Sequence, residues 1–497
     1  MASVLPSNLS FFMSRLQGVS TSHFKVNPQS SGDVGANRIL RFELPSNTLV
    51  NLRSIRMFMN VECSNSTNTR ATSLPNDISS LIERVSVYIG GVLVANGFNG
   101  YNTLVHAKAA LQGSKCGALG HPEMVRQKRY HSFLASGNAN DALSNATADT
   151  CLETYAGDSA GNDLFCIDNW EGFLGTLECS IVDLGLVGTC VIEISLADNT
   201  VCSVSATRAL PALQTDVYSV VGTAGFDLAI ASPGNPSYTL KNVSMQVEVL
   251  SLATNVLDTI VEQRISQVGY LSLPFKNYFS FTNTHSSSTR FNVNSASWDR
   301  LWIAYRDKEF ANVKAPVRIK GYKVAGGYVS GVLGGATYGS PVDVGVPEYD
   351  AGGTLNTNAE KYKPFYFNFI EKKTVVSGSL VPTTASTYQL QINSASVPSF
   401  KMSAPETLAM SMNSLDYYDK NHKLTLHQHK CNYFVQCFRF CLPDSDYSRL
   451  ASGLDCRGVS SSCSLNTTGL DECNVTMFAE CTSELRIGAG RQIEIIV

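Results

Sequence analysis

The chain has 497 residues, of which 44% are hydrophobic and 16% charged, against about 25% charged in ordinary soluble domains. Its 38 Lys and Arg against 41 Asp and Glu leave a formal net charge of −3, with no long run of either sign, so strong electrostatic capture of nucleic acid is not indicated. No segment approaches the roughly 18 apolar residues of a membrane span. The low charge suits a surface partly buried against other subunits, and equally a β-protein rich in Ser, Thr, Asn and Gly with polar, uncharged loops.

In chain order, residues 1–19 lack the basic start and continuous apolar run of a signal peptide. Leu5, Leu9, Phe12 and Leu16 fall at helical spacing, with Ser7 as cap and Gly18 as stop. This predicts a short amphipathic arm that packs on its own domain or touches a neighbouring subunit or an internal lipid surface. "RFELPSNTLVNLRSIRMFMNV" (Arg41–Val61) then reads as a short alternating strand, a polar turn and a second strand. In "RVSVYIGGVLVANG" (Arg84–Gly97), Val85, Val87 and Ile89 alternate with Ser86 and Tyr88 up to Gly90-Gly91, after which Val92 and Val94 resume. That is a hairpin, because glycine enters the φ > 0 turn region cheaply. Helical spacing follows at Tyr101, Leu104, Val105 and Ala109, ended by Gly113. "HPEMVRQKRYH" (His121–His131) is the most basic patch and reads as a solvated loop. "TLECSIVDL", "TCVIEISLA" and "SMQVEVLSL" read as further strands, and "TNVLDTIVEQRI" (Thr254–Ile265) as a connecting helix with Asn255 as cap.

The second half repeats this plan. With a shift of 249, "RFNVNSASWDRLWIAYR" (Arg290–Arg306) sets Arg290 on Arg41, Phe291 on Phe42, Val293 on Leu44, Trp298 on Leu49 and Leu301 on Leu52. "TYQLQINSASVPSFKMSAPETLAMSMNSL" (Thr387–Leu415) repeats the hairpin and helix with a shift of 303 to 304. Asn393-Ser394 stands at the turn. Ser403 and Glu406 form a capping box around Pro405, and Leu408, Met412 and Leu415 form an apolar stripe. The difference in shifts puts an insertion of about 54 residues in the second half. It includes Ala325–Thr354, whose "AGGYVSGVLGGATYGSPVDVGVP" holds seven Gly. Glycine weakens strands by backbone entropy, so this predicts an irregular tower or inter-subunit loop. "PFYFNFI", "NYFVQCFRF", "VTMFAECTS" and "RQIEIIV" supply later strands.

About eight strands per half with few helices predict an all-β chain of two tandem antiparallel β-sandwiches with short accessory helices. The division reads as an arm over 1–19, a first sandwich over 20–252, a connecting helix over 253–265, and a second sandwich over 266–497 with an inserted loop at about 307–362. Periodicity leaves the strand order open.

The hairpin-then-helix stretch "IERVSVYIGGVLVANGFNGYNTL" in the first of two tandem sandwiches, the paired "LWIAYR" strand, the long second-half insertion and the "GRQIEIIV" ending together resemble the double jelly-roll major capsid proteins of double-stranded DNA viruses. The polinton-like virus and virophage branch is the nearest in pattern. The resemblance covers nearly the whole chain through the order of its motifs. It implies a jelly-roll strand order and a homotrimer of pseudo-sixfold outline that tiles an icosahedral shell. It further implies partners in neighbouring capsomers, a penton protein and minor capsid proteins, with at most weak contact to an internal membrane or the genome. The protein would be assembled inside the host cell and reside in the virion.

Motifs of chemistry are sparse. There is no GxxxxGK[ST], HExxH or GxSxG, and "GYVSG" (Gly327–Gly331) has its serine out of place for a nucleophile elbow. His427, His429 and Cys431 share one face of a strand but lack an evident fourth zinc ligand nearby, so they read as satisfied surface histidines. Asp416 and Asp419 beside Tyr417 and Tyr418 suit a polar turn better than a glycosidase pair. Matches to N-x-[ST] at Asn8, Asn65, Asn145, Asn242, Asn466 and Asn474 are expected by chance in this composition. Seven of the 14 cysteines lie between Cys431 and Cys481, none as CxxC; they suit buried thiols, and spacing does not report disulfides. The reading therefore assigns no catalytic, cofactor or metal residues, no cofactor and no enzyme activity. The alternatives are a lectin-like double sandwich, which would usually expose Trp on its loops, and a β-rich hydrolase or cupin-type metal enzyme, the cupin needing an inward His/Glu set.

Overall fold

A computed structural model describes residues within 20–112, 153–204, 236–251, 265–307, 320–343, 367, 373–415, 424–442 and 453–496, with short breaks inside these spans. The first sandwich is built from β1 (Ser20–Val26), β2 (Ile39–Glu43), β3 (Leu49–Asn65), β4 (Ile82–Ile89), β5 (Val92–Ala95), β6 (Ile181–Asp183), β7 (Cys190–Leu196) and β8 (Pro236–Ser251), with helix α1 (Tyr101–Gln112) after β5. The second uses β9 (Tyr270–His285), β10 (Ser288–Asn292), β11 (Trp298–Asp307), β12 (Thr387–Ile392), β13 (Ala395–Met402), helix α2 (Ala404–Asn413), β14 (Val435–Arg439), β15 (Ser462–Thr468) and β16 (Cys473–Gly488), with β17 (Ile493–Ile496) added beside β16.

The strand orders are β1-β8-β3-β6 and β2-β7-β4-β5 in the first half, and β9-β16-β11-β14 and β10-β15-β12-β13 in the second, all antiparallel. The second set is the first with eight added to each number. Each half is a long ribbon in which the outermost strands pair, then the next pair inward, down to the hairpin at its tip. Wrapping that ribbon into two facing sheets is the jelly roll, so the order that periodicity left open is settled by pairing.

Alternation sets the inward faces. On β3, Val50, Leu52, Ile55, Met57, Met59 and Val61 are buried in the first core with Phe42, Ile192 and Val247. In the second core, Val293, Trp298, Leu301, Ile303, Tyr305, Tyr388, Leu465 and Met477 do the same. At the β4–β5 turn Gly90 has φ 58 and Gly91 φ 81, which is the double positive-φ geometry of a type I′ hairpin. Asn393, at φ 54, holds the matching position between β12 and β13.

Several expectations change. Among the described residues of "TLECSIVDL", Ile181–Asp183 form β6, and Leu184–Val187 turns helical, its start capped by Asp183, whose carboxylate accepts from the Gly185 N–H at 2.8 Å. β1 escaped the periodicity because it is an edge strand exposed on both faces. β9 contains Pro274, which an edge strand tolerates because no ladder donor is required on its open side. The insertion is not wholly irregular: Lys320–Val324 pairs with Gly327–Val329 and Tyr338–Asp343 in a sheet of its own. Pairing there outweighs the entropy cost of the glycines. The arm over 1–19, the His121–His131 patch and the connecting helix before Ile265 lie outside the described residues.

Candidate functional site: the junction between the two sandwiches

Gly100, at φ 83, turns the chain from β5 into α1, and the Leu104 N–H donates to Gly100 O at 3.0 Å. The reading of α1 as a one-sided amphipathic helix is incomplete. Tyr101, Asn102, Thr103, Leu104, Ala107, Lys108, Ala110, Leu111 and Gln112 are all buried, while Val105 and Ala109 are half-buried. The physical reason is that α1 has two neighbours. Toward its own sandwich, Asn102 Nδ2 donates to Ser80 O at 3.2 Å and Tyr101 OH accepts from the Glu171 N–H at 2.9 Å. Toward the other, Leu104, Ala107, Ala110 and Leu111 pack with Tyr278, Trp302, Ala304, Val435, Cys437 and Phe478. Those six lie on the outward side of β9-β16-β11-β14, since their chain neighbours Leu301, Ile303 and Met477 point into the second core. That sheet is therefore covered on both sides.

Charge is built into this seat. Lys108 Nζ lies 2.6 Å from Glu171 Oε2, donates to Tyr278 OH at 2.8 Å, and stands 5.7 Å from the Trp302 ring centroid. Glu480 accepts from Arg300 Nη1 and from Trp302 Nε1, both at 2.9 Å. Lys276 Nζ lies 2.8 Å from Asp299 Oδ2, which also accepts from Thr482 Oγ1. Burial alone would lower the Lys108 pKa, but the Glu171 and Glu480 carboxylates override it and raise it. Burial alone would raise Glu480; the charges of Lys108, Arg300 and Lys276 bring it down to about 2. Burial, with the Glu480 and Glu171 charges, pushes the Tyr278 hydroxyl well up, so it stays neutral. Every charge in the group has an opposite partner. A buried ion pair adds little net stability over an apolar one, but losing one partner costs about 3–5 kcal/mol. The intact group therefore adds little over an apolar seat, whereas any seating that parted one of its pairs would be penalised.

Apolar contacts extend the junction. Leu273, Phe275, Leu485 and Ile487 of the second half enter the first core, and Phe275 meets Phe173 edge-on at 4.9 Å. The Lys276 N–H donates to Thr176 Oγ1 at 2.8 Å. A Cβ on Gly90 would stand 3.0 Å from Ile493 Cδ1 and 2.7 Å from Val187 O, so the hairpin tip abuts β17.

The residues weighed for chemistry lie elsewhere. His429, expected at the surface, is instead fully buried, because its ring packs 5.0 Å from that of Phe434 with Nε2 3.0 Å from Val435 O. His427 and Cys431, and the group Asp416, Tyr417, Tyr418 and Asp419, lie outside the described residues. Among the described residues no group of three or more His, Cys, Asp or Glu could hold a metal. The thiols of Cys190 and Cys481 are buried and pushed up to about 12, which leaves them poor nucleophiles. Asn242 is an exposed bulge residue at φ 52, whereas Asn466 donates to Gln391 Oε1 at 3.3 Å and Asn474 accepts from Thr284 Oγ1 at 3.5 Å.

The sequence reading singled out no residue of the junction cluster. The signal was present. Arg300 and Glu480 sit inside strongly apolar strands, "DRLWIAYR" and "VTMFAECTS", and Lys108 is the one charged residue of α1.

Two jelly rolls of identical strand order, locked by a buried helix, define a double jelly-roll protein. Solved structures similar to the chain include the Sputnik virophage determined by cryo-EM, at 12% identity over 97% of this chain and 89% of that one, with a TM-score of 0.49. They also include the Faustovirus major capsid protein, at 8% identity over 94% and 90% with a TM-score of 0.48, and the mavirus major capsid protein, at 7% over 96% and 90% with a TM-score of 0.44. No family model and no curated protein matches the chain.

Proposed function

We propose that the chain is a major capsid protein whose trimers, pseudo-hexagonal in outline, tile the icosahedral shell of a double-stranded DNA virus. The observation that carries this is the tandem of two jelly rolls with the same strand order held at a fixed mutual seat by α1. Two like wedges per chain give six around a threefold axis, and a hexagonal tile covers a shell with one gene product. The resemblance of the ordered motifs points the same way. The role is structural rather than enzymatic. Its partners are neighbouring capsomers, a penton protein and minor capsid proteins, and its place is the virion shell. The sandwich limits, 20–252 and 266–497, and the inter-subunit role of the 307–362 insertion belong to this reading.

The lectin alternative needs exposed aromatic platforms. Trp170, Trp298 and Trp302 are all buried, at 2%, 0% and 1% exposure. The test is light scattering with negative-stain imaging of the purified full chain. The expected particle has three times the 53.7 kDa of one chain and a hexagonal outline. A stable folded monomer at micromolar concentration would overturn the proposal.

A further inference from the structure

We infer that Cys456 and Cys463 are a redox pair that closes into a disulfide in an oxidising medium and opens in a reducing one, clamping the surface segment over 453–457 onto the second sandwich. The chemistry belongs to the folded chain alone. Only its use, a shell firmer outside the cell than inside it, rests on the capsid reading above.

Three thiols converge at one end of the second core. Cys456, Cys463 and Cys481 are 4%, 0% and 0% exposed, all reduced, and packed in the same apolar cluster. The connection from β10 to β11 is their common neighbour. Cys463 of β15 pairs with Phe291 of β10. A little further along, Ser295 O accepts the Cys456 N–H at 2.8 Å, and the Ser295 side chain hydrogen-bonds the Cys481 thiol. Leu454 and Trp298 then exchange both backbone bonds, at 2.9 and 3.0 Å. Strand β15 and the segment over 453–457 therefore flank one short stretch of chain, with both cysteines turned into the core. Burial pushes the Cys463 thiol up to about 11, and a charge on Cys456 beside it adds to the rise. Cys481 is the poorer partner, because its thiol already engages Ser295, and Asp299 and Glu480 act on it more strongly than Cys456 does.

Cys456 is also within reach of an oxidant. Asp455 and Arg457 on either side of it are exposed, and they pair with each other in solvent at 3.0 Å. Opening this one segment uncovers Cys456 while the sheets stay folded, since surface segments with few backbone bonds open at low cost. With oxidised glutathione as oxidant, the Cys456 thiolate attacks one glutathione sulfur, forming a mixed disulfide and releasing one glutathione thiolate. The Cys463 thiolate then attacks the Cys456 sulfur and expels the second. The two protein thiols lose two hydrogens, and the oxidant leaves as two glutathione thiols. A raised thiol pKa keeps thiolate scarce, so closure is slow. Extracellular media favour the closed form and glutathione-rich cell interiors the open one.

The test incubates the full chain with oxidised glutathione or with dithiothreitol, alkylates the remaining thiols, and maps unreduced peptides by mass spectrometry, with a parallel melt. The oxidised chain is expected to carry a linkage from Cys456 to Cys463, lighter by two hydrogens. It should melt about 2–5 °C above the reduced chain, the shift that closing so short a loop gives in a chain of this size. Dithiothreitol should restore the lower value. Cys456→Ser should abolish both the linkage and the rise, whereas Cys190→Ser, in the first core, should leave them unchanged. Should Cys456→Ser melt early, Cys463→Ser takes its place, and the peptide map of the parent decides without either. Both cysteines alkylated after prolonged oxidation, glutathione retained on Cys456 with no linkage, or Cys456 joined to Cys481 would each overturn the pair. A linkage found in a chain that stays monomeric would keep the pair and overturn its use in a shell.

Discussion

Replacing Glu480 with glutamine removes the charge of the junction cluster while keeping its shape. In the parent, two donors, Arg300 Nη1 and Trp302 Nε1, each meet one carboxylate oxygen at 2.9 Å. A glutamine offers one oxygen and turns its NH2 toward the second donor. Arg300, only 4% exposed, also loses its counter-charge. Breaking a buried pair from one side costs about 3–5 kcal/mol. The Glu480 carboxyl is held at about 2 against an ordinary 4.5, and at about 1.4 kcal/mol per tenfold change in ionisation the carboxylate contributes roughly 3 kcal/mol. Because the folded value lies below the unfolded one, this contribution is complete above about pH 4.5 and disappears as pH falls toward 2. At about 1–2 °C per kcal/mol for a cooperative unit of this size, Glu480→Gln is expected to lower the apparent Tm by about 3–10 °C at pH 7. The gap to the parent should narrow across a melting series from pH 5 to pH 2. A Tm within about 2 °C of the parent at pH 7, or a gap that ignores pH, would refute the account of the cluster.

Gly91→Val should cost about 1–3 kcal/mol through backbone strain alone, since φ is 81 and no atom lies within 4 Å of its Cβ position; an unchanged melting temperature would remove the turn assignment. Gly90→Ala should be worse than Gly91→Ala, because its Cβ would stand 2.7 Å from Val187 O as well, and paired melts check the order. His285 is buried between Thr289 Oγ1 and Thr467 Oγ1, at 2.5 and 2.6 Å, and burial lowers its pKa to about 4 from 6.5. Its neutral form therefore stabilises the fold fully above pH 6.5, and that support drains away down to pH 4; His285→Gln should flatten the melting temperature across this window. Shortening the insertion at about 307–362 to the length of the first-half connection should leave each subunit folded, by circular dichroism, but weaken the trimer, by light scattering.

Much of the fold was readable because the repeat is written in side chains that must face inward. Phe42 and Phe291, Leu52 and Leu301, and the two hairpins with their helices align because each pair fills the same place in a core. What was not readable belongs to edges and to the contact between halves. β1 has no buried alternation to betray it, being paired on one side only. α1 looked like an ordinary amphipathic helix because sequence periodicity reports one apolar face, whereas its second neighbour lies nearly 200 positions away at Trp302. For the same reason Lys108, Arg300 and Glu480 were not singled out: their partners are distant in the chain, and only the seating of one roll on the other brings them together.

The nesting of strands also sets a timetable during synthesis. β1 pairs Ser20 with Ser251, so the first roll cannot close until its eighth strand has left the ribosome. At about 5–20 residues per second that delay is on the order of 10–50 s, during which the β4–β5 hairpin at the ribbon's tip forms early and β1 waits unpaired. The second roll is made after this wait. Its outward face, with Trp302 and Phe478, emerges when α1 has already been synthesised and is tethered to it, so the first half can cover the apolar face of the second as it folds.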